Sequence, residues 1–251
     1  MLTPERHELI LNMIRRQGIV KLQDLVRVTE TSESTIRRDL SLLENNNLLK
    51  RVHGGASLLQ SKGIEPTMHE KSGKNLVEKQ QVAAFAAALV NEGDCIFLDA
   101  GSTTYEMIPY LAKKNVTVVT NGLMHIELLA DHDITAYLLG GKIKGLTKAL
   151  VGSQALESMM NYRFDKCFLG ANGIHCELGY TTPDPEEALV KKSALKLSGQ
   201  KYILADHSKF SEVSFSKFAS IDEATIITNE MDDEILSLYE NKTLTIKVGK
   251  K

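Results

Sequence analysis

Long apolar runs are missing from this sequence of 251 residues. The longest, "VAAFAAALV" from Val82 to Val90, is too short to cross a bilayer. The N-terminus lacks a basic-then-apolar signal segment, so a cytoplasmic protein without membrane association is expected. Cysteine is scarce. Cys95, Cys167 and Cys176 make an odd count without a CxxC pair, which argues against a disulfide framework or a zinc ribbon. Cys95 and Cys167 lie in apolar strand-like runs and are read as small core residues. Several cofactor motifs fail as well. "GGKIKG" lacks the spacing and the Ser/Thr of a Walker loop, and His69-Glu70 lacks the second histidine of HExxH. No GxGxxG follows a strand, and "HIE" at His125 lacks the paired PCxxC of a zinc deaminase. No cofactor, metal ligand or catalytic residue is assigned.

What remains is ordinary globular material, 43% apolar and 25% charged, enough for one or two domains. The net charge of −2 hides an asymmetry. Residues 1–60 hold nine Lys and Arg against seven Asp and Glu, whereas the remainder holds 21 against 25. So small an excess says little about nucleic acid by itself; its clustering matters more.

In "TPERHELILNMIRRQG", Thr3 suits a helix N-cap, Pro4 the first position and Gly18 the stop. Leu9, Ile10, Met13 and Ile14 share a face. "KLQDLVRVTE" predicts a shorter helix with Leu22, Leu25 and Val26 inward. A third helix, capped by Ser32 or Ser34, runs to about Asn45 with Ile36, Leu40 and Leu43 inward. Asn45 to Asn47 end it; "LLKRVH" then suits a strand and Gly54-Gly55 a tight turn, with Arg51 and His53 on the outer edge of this wing. Three helices with a tight second-to-third connection form a helix-turn-helix pattern, whose third helix enters the major groove. Ser32, Ser34 and Thr35 are small enough for close approach, and Arg37 and Arg38 reach phosphates or guanine edges. Asp39 would repel phosphate if it faced the duplex, so it is expected to hold an arginine in place.

Residues 1–57 therefore form the expected DNA-binding domain, 58–74 a linker of mixed composition, and 75–251 a second domain. In the last, apolar strand-like runs alternate with helix-like ones, which predicts a parallel sheet covered on both faces. In such sheets ligands bind beyond the carboxyl ends of the strands. Those ends read "DAGSTT", "TNG", "LGGK", "LGANGI" and "LADHSK". Gly101, Ser102, Thr103 and Thr104 stand between strand and helix, as a phosphate cradle would, although the same run suits a plain loop with a helix cap. Asp99, Asn121, Asn172, Glu187 and Asp206 suit a polyol, and Lys209 would complete the phosphate site. Taken singly, Asp206 with Lys209 also suits a surface ion pair, and Asn172 a turn.

"SESTIRRDL" from Ser32, preceded by Arg6, Ile10 and Ile14, resembles the signature of DeoR-family transcriptional regulators. "DAGSTT", "VVTNG", "LLGGK", "FLGANGI", "GYTTPDPEEALVKK" and "LADHSKF" together resemble that family's sensor domain over nearly its whole length. The resemblance implies a winged helix-turn-helix followed by a Rossmann-like α/β domain similar in fold to ribose-5-phosphate isomerase, which senses phosphorylated sugars or related metabolites. "MLTPERHELIL" and "SESTIRRDLSLLE…NLLKRVHGGASLLQ" look most like fructose-operon repressors of Gram-positive bacteria, implying fructose 1-phosphate as inducer. The expected function is a repressor that leaves its operator when a sugar phosphate binds. The expected partners are double-stranded operator DNA, the effector and further copies of the chain, as dimer or tetramer. The rival is an isomerase-like enzyme carrying a DNA-binding module, with Asp99 and Asp206 as general bases. An architectural DNA binder leaves the polar strand ends unexplained.

Overall fold

Apolar residues at helical spacing build the first of two units, Met1–Ser61, in a computed structural model that describes residues 1–17, 19–46, 48–52, 54–57, 65–229 and 231–248. Its elements are α1 (Thr3–Gln17), β1 (Ile19–Lys21), α2 (Leu22–Thr29), α3 (Glu33–Asn45), β2 (Lys50–Val52) and β3 (Gly55–Ser57). Ile10 and Ile14, Leu22 and Leu25, and Ile36, Leu40 and Leu43 share one core with Val20, Leu49 and Ala56. Each such aliphatic side chain contributes roughly 1.5–3 kcal/mol when fully buried. Ser32 caps α3, its Oγ accepting from Thr35 N at 3.3 Å. Thr3 is already inside α1, because the Glu5 carboxylate accepts from Leu2 N at 3.1 Å and starts the helix earlier than expected. The stop assigned to Gly18, the helix end at Asn47 and the wing residue His53 lie outside the described residues.

The wing is a three-stranded antiparallel sheet in the order β1-β3-β2. The run "IVK" is too short for β1 to show in the sequence, and Gly55 explains how β3 reaches it. A Cβ at Gly55 would lie 2.1 Å from the Val20 carbonyl oxygen, so only glycine permits the approach.

Asp39 is buried on the inward face of α3 and holds Arg6 of α1, with Arg6 Nε at 2.6 Å and Nη2 at 3.1 Å. His7 Nε2 lies 3.0 Å from Asp39 Oδ1, the oxygen that also accepts from Arg6 Nη2. Burial opposes the charge, but the hydrogen bonds from Arg6 and His7 outweigh it and hold the Asp39 carboxyl below its usual range. This contribution is present above about pH 3.9, the free aspartate value, and is lost as pH falls through the lower folded value. Asp39→Asn is expected to destabilise the first unit by about 2 kcal/mol, the scale of hydrogen bonds to a charged group. Chemical denaturation followed by hydrogen exchange on α1 and α3 checks this; an unchanged midpoint would show that the pair contributes nothing.

The second unit, Lys62–Lys251, opens with α4 (Met68–Gly73) and α5 (Leu76–Ala88). There follow β4 (Cys95–Leu98), α6 (Ser102–Met107), β5 (Thr117–Thr120), α7 (His125–Asp131), β6 (Thr135–Leu138), β7 (Lys142–Ile143), β8 (Leu150–Val151) and α8 (Ser153–Met160). The remainder comprises β9 (Phe164–Gly170), β10 (Gly173–His175), β11 (Gly179–Thr182), α9 (Pro185–Lys196), β12 (Ser198–Leu204), β13 (Ser216–Ala219), β14 (Thr225–Asn229), α10 (Asp233–Glu240) and β15 (Thr245–Val248). Seven strands form a parallel sheet in the order β15-β14-β12-β9-β4-β5-β6. Alternation along each strand fills two cores. Ile96, Leu98, Val118, Phe168, Leu204 and Ile227 meet α5, α6 and α7, whereas Phe97, Val119, Cys167, Leu169, Ile203 and Ile226 meet α8, α9 and α10.

Three expectations need correction. Residues 68–73, assigned to the linker, are helical: Thr67 and Glu70 form a reciprocal capping box, a signature written in "TMHE". Cys95 is exposed rather than a core residue: it is the first residue of β4, and burial in that strand begins with Ile96. The hairpin β7–β8 and the small antiparallel sheet β10-β11-β13 interrupt the simple alternation of strands and helices. Among the described residues no helix is long and apolar enough to cross a membrane.

Candidate functional site

In the first unit, α3 turns Ile36, Asp39, Leu40 and Leu43 inward and leaves Ser32, Ser34, Arg37 and Arg38 exposed, with Thr35 half-buried. Ser32 Oγ stands 3.0 Å from Ser34 Oγ and 2.9 Å from Thr35 Oγ1, so the three hydroxyls cluster at the helix start. Arg37 folds back on Glu33, Nη2 to Oε1 at 2.6 Å. Such an exposed pair is worth little and yields readily to a phosphate. Arg51 of β2 donates to Ser41 Oγ at 2.7 Å, and its backbone N–H to Glu44 Oε1 at 2.8 Å, tying the wing to the second half of α3. Arg37, Arg38, Ser41, Leu42 and Asn45 line an open depression on the outer face. Sequence reading omitted Ser41, Leu42 and Asn45, although their helical spacing from Arg37 and Arg38 puts them on one surface.

In the second unit, Asp206, Asn172, Asp99 and Asn121 follow β12, β9, β4 and β5, four adjacent strands. From β4 the chain first builds one side of the sheet, through β5 and β6, and then the other, through β9 and β12. The crevice between β4 and β9 is thus the topological switch point.

Lys191 of α9 fills that crevice. Its Nζ pairs with Asp99 Oδ2 and donates to the Gly170 carbonyl at 3.0 Å, while Gly170 N donates to Asp99 Oδ2 at 3.0 Å. Asp99 is therefore a paired carboxylate. Asn121 is also engaged: Oδ1 accepts from Ala100 N at 2.9 Å and Nδ2 donates to the Leu150 carbonyl at 3.3 Å. Thr104 is fully buried and caps its own turn, its hydroxyl meeting the carbonyls of Asp99 and Gly101 and accepting from Gly101 N. It acts as the helix cap, leaving Gly101, Ser102 and Thr103 as the rest of the cradle.

Glu187 of α9 accepts from Lys144 Nζ at 2.8 Å and Thr147 Oγ1 at 2.7 Å. Burial opposes its charge, but Lys191 and Lys144 outweigh it and keep the carboxyl below its usual range. The Thr182 hydroxyl lies 3.2 Å from Asn172 Oδ1 and 3.5 Å from Glu187 Oε2, bringing Asn172 into the same network. Lys144 also meets Glu65 at 2.7 Å and Asp184 at 3.0 Å. Asp206 accepts from Asn75 Nδ2 and Ser208 N, each at 3.0 Å. Burial opposes its ionisation, yet Lys209 and these hydrogen bonds hold the carboxyl low.

Most sequence candidates thus converge on the strand ends, but Asp99 and Glu187 arrive already paired with lysines, and Asp206 with the donors of Asn75 and Ser208. Sequence reading missed Lys191, Lys144 and Thr182. The Glu187–Lys191 spacing in "EEALVKK" was the available signal, since residues four apart share a helix face. It also missed His125 as a buried group: Nδ1 lies 2.9 Å from Thr120 Oγ1, Nε2 has no partner, and burial pushes the imidazole down to about 4.

A model of the DeoR-like helix-turn-helix domain matches residues 6–62, and one of the DeoR C terminal sensor domain matches residues 74–230. The chain is 54% identical to the uncharacterized HTH-type transcriptional regulator FruR of Bacillus subtilis (strain 168), over 251 residues and 100% of both chains. It is 31% identical over 236 residues to the lactose phosphotransferase system repressor of Staphylococcus aureus (strain N315), covering 92% of this chain and 93% of that one. Among solved structures, ribose 5 phosphate isomerase A from Neisseria gonorrhoeae aligns with TM-score 0.41 and 22% identity, over 53% of each chain. With both of its units matched and a relative this similar end to end, the chain belongs to the DeoR family.

Proposed function

We propose that the protein represses a sugar-utilisation operon, reading operator DNA with α3 and leaving it when a phosphorylated sugar binds at the strand ends. The observation that carries this reading is the division of α3 into a fully buried face and an outer face bearing three hydroxyls and two arginines. The lactose phosphotransferase system repressor of Staphylococcus aureus, a full-length relative, supports the sugar connection. Ser32, Ser34, Thr35, Arg37, Arg38 and Arg51 are the proposed DNA contacts. Gly101, Ser102, Thr103 and Lys209 are the proposed phosphate site. Asp99, Asn121, Asn172, Glu187 and Asp206 frame the sugar, with Lys191 and Lys144 as their partners. Fructose 1-phosphate is the first compound to test, on the resemblance of the N-terminal run. The protein acts as a homo-oligomer, since helix-turn-helix readers pair half-sites.

The same geometry disfavours the isomerase-like alternative. Asp99 is held by Lys191, and Asp206 by Asn75, Ser208 and the nearby charge of Lys209. A general base needs a free lone pair within reach of the substrate proton and a proton affinity matched to the working pH. A thermal-shift panel of sugar phosphates, followed by NMR of any that bind, tests both readings. Stabilisation by at least one compound without product is expected. Protein-dependent turnover would revive the enzyme, and no stabilisation by any of them would remove the sensor.

A further inference from the structure

Lys79 of α5 is only 4% exposed, yet among the described residues its ammonium forms no ion pair. Nζ donates instead to the backbone carbonyl of Lys71 in α4. Asp206 acts on it from a distance, but Asp206 is already bonded to Asn75 and Ser208 and also feels Lys209. Glu106, which accepts from Gln80, adds a second distant carboxylate and Lys71 a further cation, so no carboxylate is committed to the Lys79 ammonium. Burial pushes the Lys79 ammonium below its usual range; Asp206 opposes this and Lys209 adds to it. A buried charge without a counter-ion destabilises the free protein, and an apolar side chain of similar length would remove that cost.

Its place in the fold supplies a reason to keep the charge. Asn75 Nδ2 reaches Asp206 Oδ1 at 3.0 Å and Ser208 Oγ at 3.5 Å, tying the start of α5 to the turn after β12. Both α4 and α5 pack on α6, which follows the Gly101 turn. One strand separates β12 from β4, so their ends lie about 10 Å apart, within the span of a sugar phosphate.

We propose that Lys79 is a direct ligand of the effector's phosphomonoester, acting with Lys209, and that on binding its ammonium exchanges the Lys71 carbonyl for a phosphate oxygen. This rests on the sugar-phosphate reading above. The exchange has a consequence within the same unit. Lys71 pairs with Glu65 at 2.8 Å, and Glu65 pairs with Lys144 at 2.7 Å. Withdrawing Lys79 from the Lys71 carbonyl loosens α4, the first helix of the second unit.

The test titrates the full chain and Lys79→Met with fructose 1-phosphate and with inorganic phosphate. The variant is expected to lose at least about 10-fold in affinity for both, the scale of one charged hydrogen bond. Its unliganded melting temperature is expected to equal or exceed that of the wild type, since a structural role would lower it. A destabilised variant that binds both compounds normally overturns the proposal. Hydrogen exchange on the wild type needs no variant: amides of residues 68–73 should exchange faster with fructose 1-phosphate, and unchanged exchange overturns the swap. If the wild type binds neither these compounds nor any other sugar phosphate, the sensor reading itself falls; binding by the wild type with normal affinity in the variant removes Lys79 alone.

Discussion

Replacing both Arg37 and Arg38 with alanine is expected to remove most of the operator affinity while leaving the fold intact. Both side chains are exposed, and the α3 core beneath them consists of Ile36, Leu40 and Leu43. Surface changes of this kind seldom alter stability by more than about 0.5 kcal/mol. The loss should instead appear in binding. An arginine on a phosphate contributes counterion release, so its removal flattens the slope of log K against log salt by about 1. An arginine on a guanine edge contributes discrimination of about 1–3 kcal/mol at one base pair. Operator titrations at several salt concentrations, with wild-type and substituted sites, separate the two roles. A folded double variant that binds as before would show that α3 is not the reader.

The second large effect is expected at the strand ends. Lys209→Ala removes a cation from beside Asp206, and Gly101→Val adds bulk to the cradle. A Cβ at Gly101 would stand 3.1 Å from Thr104 Oγ1 and 4.0 Å from Asp99 Oδ2, so the branched side chain crowds both the cap and the site. Each variant should bind the sugar phosphate about 10–100-fold more weakly, the range for losing charge-assisted hydrogen bonds. Operator affinity without ligand should stay near wild type, because the reader lies in another unit. The outcome is a repressor that no longer lets go. Normal release by sugar phosphate in both variants would remove this pocket from consideration.

Much of the fold was legible because its signals are periodic. All seven strands of the parallel sheet appear as apolar runs, from "CIFLDA" to "LTIKV", and the three helices of the reader follow the spacing of Ile10, Leu25 and Ile36. What escaped was short or long-range. β1 spans Ile19–Lys21, too few residues to carry a period, and its partner β3 is made possible by a glycine far along the chain. Asp39 was expected to restrain an arginine, and its partner proves to be Arg6, 33 positions away on another helix. The candidate site was legible as residue types but not as pairings. Asp99 with Lys191 joins positions 92 apart, and Lys144 with Glu65 joins positions 79 apart. Lys79 carried no signal, since a lysine within the polar run Glu78 to Gln81 at the start of α5 looks solvated until its burial is known.

The central claim is that operator and sugar phosphate favour different states of one protein. Linkage makes that claim reciprocal: whatever factor the sugar phosphate takes from operator affinity, the operator must take from sugar-phosphate affinity. The direct measurement is therefore a closed cycle on the wild type, with operator affinity determined with and without saturating fructose 1-phosphate, and ligand affinity with and without saturating operator. The account predicts weakening by the same factor on both sides, of order 5–150-fold for a coupling of about 1–3 kcal/mol. Tight binding of both partners with neither changing the other's affinity would contradict it.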